Sequence, residues 1–183
     1  MNREEAAWKT IKEKSAYQCP GFEIINKVIE LPDGTQTDFD YLSEPPAVVI
    51  LPFIDEENVI TIKEWREPVQ RINWGIPVGT MEPDEAPDVA AKRELQEETG
   101  YEAGSMEHMI TLEPVNGVAD TVHHYFIAHN CAPTAQQKLD EDEQIEVDIV
   151  NVDKVATAAL TGKLRDGRAV TAMYRYLLKD KVN

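Results

Sequence analysis

The sequence predicts an α/β protein in which helices pack on a mixed sheet, preceded by a small N-terminal antiparallel β region. Two observations support this prediction. Short apolar segments of strand length alternate with segments rich in helix-forming residues, which is the pattern of layered α/β proteins. The chain has 183 residues, of which 42% are hydrophobic. That is enough to build the core of one domain of ordinary size.

The N-terminal region is expected to contain a helix and a hairpin. Residues 3–15 read as a short amphipathic helix whose apolar side carries Ala7, Trp8 and Ile11. The segment from Phe22 to Leu31 then reads as a strand. Pro32-Asp33-Gly34 is a turn signal, across which Thr37 to Leu42 can pair back. Because Pro45-Pro46 interrupts the chain next, we predict an N-terminal region over 1–45 and the main domain over 46–183.

The main domain is expected to open on a pair of strands, Ala47 to Ile54 and Val59 to Trp65, joined by a polar turn. A helix is predicted over 86–99, since Pro87 suits a first helical turn and Gly100 a C-terminal cap. The remaining predicted elements are three strands, Met106–Leu112, Val122–Ala128 and Ile145–Val150, and two closing helices over 153–161 and 168–179.

Charge and composition exclude several classes of protein. The 18 basic and 34 acidic residues give a net charge of −16, which argues against a nucleic-acid binder because such proteins need a basic surface. An anionic substrate would need metal cations or a local Arg cluster to approach. No apolar run reaches the roughly 18 residues of a membrane span, and the N-terminus lacks a signal-peptide core. We therefore expect a cytoplasmic protein with no membrane partner, in which Cys19 and Cys131 are ordinary thiols.

Three glutamates in the predicted helix carry the candidate chemistry. Spacings of three and four residues place Glu94, Glu97 and Glu98 on one helical face. Like charges this close repel each other unless a cation binds there, and Mg²⁺ prefers hard oxygen ligands of this kind. The alternative is an acidic face exposed to solvent beside Lys92 and Arg93, which is the commoner fate of charged helix runs.

The surrounding residues turn this spacing into a specific signal. The stretch from Gly79 to Tyr101 resembles the Nudix box at every fixed position: Gly79, five residues, Glu85, seven residues, then Arg93-Glu94-Leu95-Gln96-Glu97-Glu98-Thr99-Gly100-Tyr101. The resemblance implies an α/β/α sandwich around a mixed sheet. It also implies that a loop–helix–loop holds Mg²⁺ or Mn²⁺. The protein would then be a hydrolase that cleaves a diphosphate bond.

The resemblance further implies a role for each acidic residue. Glu94 and Glu98 would be the principal metal ligands, and Glu97 would bind a second ion, directly or through water. A backbone carbonyl at Val78 or Gly79 would complete the metal's ligand shell.

Two further residues of the box would position the metal ligands. The resemblance implies that Arg93 orients the glutamates by ion pairing. Glu85 would close the preceding loop onto Arg93. Gly79 and Gly100 would meet demands of backbone geometry.

Outside the box, the chain resembles the ADP-ribose pyrophosphatase and nucleoside-diphosphate-sugar branch. In that branch the N-terminal region swaps between subunits, which implies a homodimer. The segment Ile62 to Pro68 resembles the strand whose Arg contacts the substrate's phosphates, which places Arg66 in that role. The alternative for Arg66 is a surface ion pair with Glu64 or Glu67.

A second segment, Leu139 to Val147, resembles the acidic loop that supplies a late catalytic glutamate in this branch. A carboxylate near metal-bound water can take its proton. Glu141 and Glu143 are the candidates, with Glu141 favoured as the base and Glu143 as the metal-side residue. The alternative is again a solvated acidic run.

The substrate is less strongly specified. Asn116 stands where ADP-ribose enzymes often carry Pro, which leaves GDP-mannose or another nucleotide sugar open besides ADP-ribose. Phe22 and Trp8 are candidates for stacking on the base. His123 and His124 are adjacent in a predicted strand, so they face opposite sides and are expected to be structural. The other functions considered are a nucleoside triphosphate pyrophosphohydrolase and a nucleotide-sugar sensor without catalysis.

Overall fold

The computed structural model describes residues 8–140 and 143–179. Contacts divide them into two compact units. The first contains the described residues up to Pro46 together with Glu113–Val122. The second contains Ala47–Leu112 and the described residues from His123 onward.

The first unit is built on an antiparallel sheet of β1 (Lys9–Cys19), β2 (Phe22–Glu30) and β3 (Gln36–Ser43). The strand β2 lies between its neighbours, pairing with β1 from Lys9↔Glu30 to Cys19↔Phe22 and with β3 from Glu23↔Ser43 to Glu30↔Gln36. Ile25 and Ile29 are buried on it. The predicted hairpin of β2 and β3 is therefore confirmed, and so is the turn at Pro32-Asp33-Gly34.

The predicted helix over 3–15 is wrong for the residues that the structure describes, because Lys9 to Ser15 lie in strand β1. The first part of that segment, 1–7, lies outside the described residues. The sequence signal overlooked was Pro20-Gly21, which forms a tight turn between β1 and β2. Pairing along β2 then outweighs the helix propensity of the segment, since tertiary contacts routinely override such propensities.

The segment Glu113–Val122 joins the first unit through contacts with the end of β3. The backbone N–H of Leu42 donates to the carbonyl of Val118 at 2.9 Å. The carboxylate of Asp120 accepts hydrogen bonds from the Ser43 hydroxyl at 3.0 Å and from the Glu44 N–H at 3.2 Å. The predicted division into 1–45 and 46–183 stays a prediction.

The second unit contains the remaining strands and the helices. The strands are β4 (Ala47–Pro52), β5 (Asn58–Arg66), β6 (Arg71–Gly75), β7 (Val78–Thr80), β8 (Tyr101–Glu102), β9 (Ser105–Leu112), β10 (His123–His129), β11 (Ala132–Pro133) and β12 (Ile145–Asn151). The helices are α1 (Pro87–Thr99), α2 (Val152–Leu160) and α3 (Gly167–Leu178). In the described residues, no helix is long and apolar enough to cross a bilayer.

The strands of the second unit form a mixed sheet and an antiparallel sheet. The mixed sheet has the order β7-β4-β10-β9, in which β4 and β10 run parallel and the other pairs run antiparallel. The second sheet has the order β12-β5-β6 and is antiparallel throughout. A short pair, β11-β8, lies beside α1 in the chain.

Helices cover both faces of the mixed sheet, as the alternation along β4 requires. Side chains of Val48 and Ile50 point to the face that packs against α1, where Ala90, Ala91 and Leu95 are fully buried. Val49 and Leu51 point to the opposite face and pack against α2 and α3. This arrangement is the predicted α/β/α sandwich.

The C-terminal end of α1 is held by the chain that follows β11. Gly100 ends the helix with φ +76°, and its carbonyl accepts a hydrogen bond from the Thr134 N–H at 3.0 Å. The Lys138 N–H donates to the Glu97 carbonyl at 2.8 Å. The Gln137 amide donates to the carbonyls of Glu98 at 2.6 Å and Ile145 at 3.2 Å. These bonds tie the helix to both ends of the acidic segment before β12.

Candidate active site

Arg93 is the centre of an ion-pair network on α1. Its Nε and Nη2 donate to the two carboxylate oxygens of Glu85 at 2.9 and 2.8 Å, a bidentate pair. Its Nη1 donates to Glu94 at 2.6 Å and to Glu97 at 3.0 Å. A further bond from Nη2 reaches the carbonyl of Thr80 at 3.0 Å. One guanidinium thus fixes three carboxylates and ties the helix to the end of β7.

The backbone at Gly79 leaves room for the Glu94 side chain. A Cβ atom built on Gly79 would overlap the carboxylate of Glu94. Gly79 pairs with Val48 in the sheet, so its backbone cannot move away easily. The glycine is therefore required for close approach of a carboxylate to β7, and its φ is not in the left-handed region.

Gly79→Ala is expected to displace the Glu94 carboxylate and to lower kcat/KM by about 10²-fold, since misplacing a site group by about 1 Å has effects of that size. Steady-state hydrolysis assays measure this effect. Gly21→Ala is the matched control, because an added Cβ there meets no atom within 4 Å. If the two variants were equally active, the close approach of the Glu94 carboxylate to Gly79 would not be required for activity.

Glu98 is a buried carboxylate beside the same strand. Only 3% of its surface is exposed. The Val78 N–H lies 3.3 and 3.4 Å from its two oxygens, so these hydrogen bonds are long. Burial raises the pKa of Glu98 well above its usual value, and the charges of Glu94 and Glu143 raise it further. Burial also raises the pKa of Glu94, against the opposing effect of Arg93.

This group of carboxylates fits a hard divalent cation. Oxygen donors that mutually raise their pKa values are stabilised in their charged forms when a cation is bound. Among the described residues, no three Asp, Glu, His or Cys side chains are already arranged as a metal site. Mg²⁺ is commonly bound by only one or two carboxylates, together with water and substrate phosphates. The Glu94 and Glu98 pair meets that requirement.

Further carboxylates reach the site from β5 and from the acidic segment. Burial raises the pKa of Glu64, and the charge of Glu143 raises it as well. The Glu143 carboxylate accepts a hydrogen bond from the Asp140 N–H at 3.0 Å, which holds the side chain against its own segment. The charge of Glu143 also raises the pKa values of Glu94 and Glu98, and Glu143 lines one cavity together with Glu64. The other candidate base, Glu141, lies outside the described residues.

Arg66 forms the ion pair that the sequence left as its alternative role. Its Nη2 lies 2.7 Å from Glu64, at the end of β5. Glu67 instead accepts a hydrogen bond from the Trp65 indole at 2.7 Å. The ion pair leaves the Arg66 side chain partly exposed.

Arg168 is a partly buried cation that the sequence did not indicate as part of the site. Arg168 donates to Asp166 at 2.8 and 3.3 Å, and Asp166 is 8% exposed. Asp166 also accepts a hydrogen bond from Asn73 at 3.1 Å, and Asn73 is the cross-strand partner of Glu64. Burial acts to lower the pKa of Arg168, but Asp166, Glu64 and Glu98 raise it overall. Asp166 also caps α3, where its side chain accepts hydrogen bonds from the Arg168 and Ala169 N–H groups.

The two candidates for base stacking lie in the first unit. Phe22 opens β2, and its ring centroid lies 6.0 Å from that of Tyr17. Trp8 packs edge-on against Phe39 at 6.0 Å. Asn116, which marks the departure from the ADP-ribose pattern, donates to Glu113 at 3.3 Å in the same unit.

His123 and His124 face opposite sides of β10, as adjacent strand residues must. His124 shares a hydrogen bond with Thr111 at 3.0 Å. His123 points toward Tyr125, with ring centroids 6.4 Å apart, and its Nδ1 is buried without a hydrogen-bond partner among the described residues. Burial lowers the pKa of His123, and the charge of Arg168 lowers it further.

Comparisons with known proteins identify the family of this chain. The NUDIX domain model matches residues 43–173. The chain is 30% identical to an ADP-ribose pyrophosphatase of Bacillus subtilis (strain 168) over 173 residues, which is 94% of each protein. It is 35% identical over 95 residues, about half of each chain, to a GDP-mannose pyrophosphatase of Escherichia coli O139:H28.

A solved structure described as an ADP compounds hydrolase has a TM-score of 0.81 to this chain at 21% identity, covering 96% of both chains. At that identity the likeness concerns the fold, and it confirms the predicted α/β class. The family match covers most of the chain, including every residue of the Arg93 network. The chain therefore belongs to the Nudix family, as the resemblance of its box predicted.

Proposed function

We propose that this protein is a metal-dependent Nudix pyrophosphatase that hydrolyses the diphosphate bond of ADP-ribose or a related nucleoside diphosphate sugar. The products are a nucleoside monophosphate and a sugar phosphate. The observation that carries the proposal is the buried Glu98 beside a Glu94 carboxylate fixed by Arg93. A buried carboxylate without a cation is costly, so its position beside a second carboxylate favours a functional ion.

Glu94 and Glu98 would hold the ion, which we propose is Mg²⁺ or Mn²⁺. Glu97 would bind a second ion, and a carbonyl at Val78 or Gly79 would add a ligand. When bound, such an ion neutralises charge on the substrate's phosphates and makes water more acidic. The Arg93 network keeps the Glu94 and Glu97 side chains oriented before the ion arrives.

Glu143 or Glu141 would accept the proton of the attacking water. The electrostatic effects of Glu143 on Glu94 and Glu98 support its placement beside the ion. A carboxylate within hydrogen-bond reach of water that binds a metal ion can act as a general base. The hydrogen bond from Asp140 would orient Glu143 for that task.

The names of the relatives support the substrate class. One is an ADP-ribose pyrophosphatase, and another is a GDP-mannose pyrophosphatase. Arg66 would bind phosphate oxygens, exchanging its ion pair with Glu64 for a bidentate contact to the substrate. Phe22, or Trp8, would stack on the base.

Glu143→Gln is expected to lower kcat by about 10²–10⁴-fold while leaving KM nearly unchanged, because a general base acts in the chemical step. Glu141→Gln, assayed alongside, shows which of the two residues is the base. Glu146→Gln is the matched control, since Glu146 is exposed and pairs with Lys63 at 3.0 Å. Full activity of both the Glu141 and the Glu143 variant would contradict a base in this segment.

A panel of ADP-ribose, GDP-mannose and nucleoside triphosphates, assayed with Mg²⁺ and then Mn²⁺, tests the proposal as a whole. Preference for a nucleoside diphosphate sugar is the expected result. A preference for triphosphates would overturn the branch assignment. Binding of ADP-ribose without cleavage of any compound would favour a sensor instead.

We also propose that the protein acts as a cytoplasmic homodimer without nucleic-acid or membrane partners. The exposed apolar side chains of the first unit support a second copy as its partner: Trp8, Ile11, Tyr17 and Phe39. The net charge of −16 disfavours nucleic acid. Sedimentation equilibrium of the whole chain tests the dimer, and a monomer at micromolar concentration would contradict it.

A further inference from the structure

Two of the protein's four histidines converge on one hydroxyl group in the second unit. The Nε2 of His108 lies 2.9 Å from the Oγ1 of Thr111, and the Nδ1 of His124 lies 3.0 Å from the same oxygen. The two nitrogens therefore cannot be farther apart than the sum of these distances. Both lie at the surface of β9 and β10, with His108 the more exposed.

An irregularity in strand pairing produces this convergence. Thr111 is the cross-strand partner of His124, and His108 is the partner of Phe126. The register shifts between Tyr125 and Phe126, so one extra residue of β9 is accommodated there. The shift places His108 on the same face as Thr111 and His124. In a regular strand, residues 108 and 111 would point to opposite faces.

Both imidazoles are available as ligands. Among the described residues, neither of the two converging nitrogens has a carboxylate or backbone partner; each contacts the Thr111 hydroxyl. Burial lowers the pKa of His124, and the nearby His108 lowers it further. A neutral imidazole is the form that binds metal ions. His129 differs, because its Nε2 pairs with Glu107 at 3.0 Å.

We propose that His108 and His124 bind one late first-row transition-metal ion of the Zn²⁺, Ni²⁺ or Cu²⁺ class, at a site separate from the glutamates of α1. Imidazole nitrogens suit these ions, whereas Mg²⁺ prefers oxygen ligands. Metal–nitrogen distances of about 2.0–2.1 Å are reached when the exposed His108 side chain moves toward His124. Water supplies the remaining ligands, since no third imidazole, thiol or carboxylate of the described residues joins the pair.

The site is distinct from the glutamate site by position as well as by chemistry. Thr111, His124, Val48 and Gly79 form one row across the mixed sheet. Two strand spacings, roughly 10 Å, therefore separate His124 from Gly79. An ion bound by the histidines is too far from Glu94 and Glu98 to share ligands with them.

Cu²⁺ titration of the whole protein, followed by electron paramagnetic resonance in excess Mg²⁺, tests this site. The Mg²⁺ keeps the carboxylates occupied, and coupling to nitrogen reports imidazole ligands directly. We expect one equivalent of Cu²⁺ with coupling from two nitrogens. A signal from oxygen ligands alone would overturn the proposal.

His108→Gln and His124→Gln provide the second arm. Each substitution is expected to lower the affinity for Zn²⁺ by about tenfold or more, because losing even a residue that only hydrogen-bonds to a metal ligand has an effect of that size. Calorimetry in excess Mg²⁺ measures this affinity. His129→Gln is the matched control and should bind like the wild type. Hydrolytic activity should be retained in each variant, which shows that it is folded. Equal loss in the control, or unchanged affinity in both test variants, would overturn the proposal.

Discussion

Glu98→Gln should lower kcat/KM by about 10³-fold, because it removes the charge of a proposed ligand to a catalytic metal ion. Stabilisation by a catalytic metal is worth several kcal/mol, and each 1.36 kcal/mol is a factor of ten in rate. Gln keeps the size of Glu and can still accept a hydrogen bond from the Val78 N–H, so the effect is one of charge. Initial rates over a Mg²⁺ titration measure it, and more metal should not restore the wild-type rate.

The same variant, although less active, should be more stable than the wild type when no metal is bound. Because burial raises the pKa of Glu98, the folded protein favours the protonated carboxyl. In the metal-free protein, the stability that the protonated Glu98 carboxyl contributes is fully present below pH 4.5, the ordinary pKa of Glu. That contribution is lost as the pH rises through the raised pKa of the folded state. Gln carries no such charge, so metal-free Glu98→Gln should melt above the wild type at neutral pH and alike at low pH.

Glu102→Gln is the matched control, since Glu102 is exposed and accepts a hydrogen bond from Gln96 at 2.7 Å. It should retain wild-type rates and wild-type melting. A Glu98→Gln variant with near-normal activity would rule out Glu98 as a metal ligand. If metal-free Glu98→Gln melted below the metal-free wild type, the charged Glu98 carboxylate would not be destabilising.

Arg93→Met should cause the largest loss of stability. It removes the cation from Glu85 and Glu94, whose side chains are only 9% and 13% exposed. Removing one partner of a buried ion pair costs about 3–5 kcal/mol; with the Arg93 side chain 25% exposed, we expect about 3 kcal/mol, or a decrease of about 6–12 °C in Tm. Activity should fall by about 10²-fold or more, because Glu94 loses its orientation.

Arg93→Lys separates charge from geometry. A lysine keeps the positive charge but cannot make the bidentate contact with Glu85 or reach Thr80 at the same time. Its Tm should therefore fall between those of the wild type and Arg93→Met, while its activity stays low. Equal Tm values for Met and Lys would show that charge at this position contributes little. Wild-type activity of Arg93→Lys would show that the bidentate guanidinium contact is not required for activity.

The parts of the fold that follow from periodicity could be predicted from the sequence. The strand β4 and helix α1 have distinct apolar patterns and clear end signals, such as Pro87 and Gly100, and both lie where the sequence placed them. Spacing also predicted that Glu94, Glu97 and Glu98 share a helical face. The pairing of Arg93 with Glu85 came from the resemblance, and the structure brings these two side chains together.

The strand β1 could not be predicted from local propensity. Its residues are mostly exposed and include three Lys and one Glu, and no alternation of apolar side chains marks it. What makes it a strand is pairing with β2 along nearly its whole length. The turn at Pro20-Gly21 was its one local signal, and it counts only when the partner strand is recognised.

The polar cluster around Arg168 depends on contacts between distant parts of the chain. Asn73 and Asp166 are 93 positions apart, and their hydrogen bond forms only because α3 begins over the edge strand β6. The sequence predicts an ion pair as the alternative role of Arg66 and offers two glutamates, Glu64 and Glu67, at similar spacing. The structure distinguishes them, since Glu67 bonds with Trp65.

The hydrogen bonds at the end of α1 have a consequence for engineering the acidic segment. Lys138 and Gln137 fix one end of the acidic segment to the helix, and Gln137 also holds Ile145 at the other end. Because both anchors are hydrogen bonds made by residues outside 139–144, we expect that changes within that range would leave the helix in place. We therefore expect that grafting this segment from a relative would transfer its proposed proton acceptor and leave the proposed metal ligands of α1 in place.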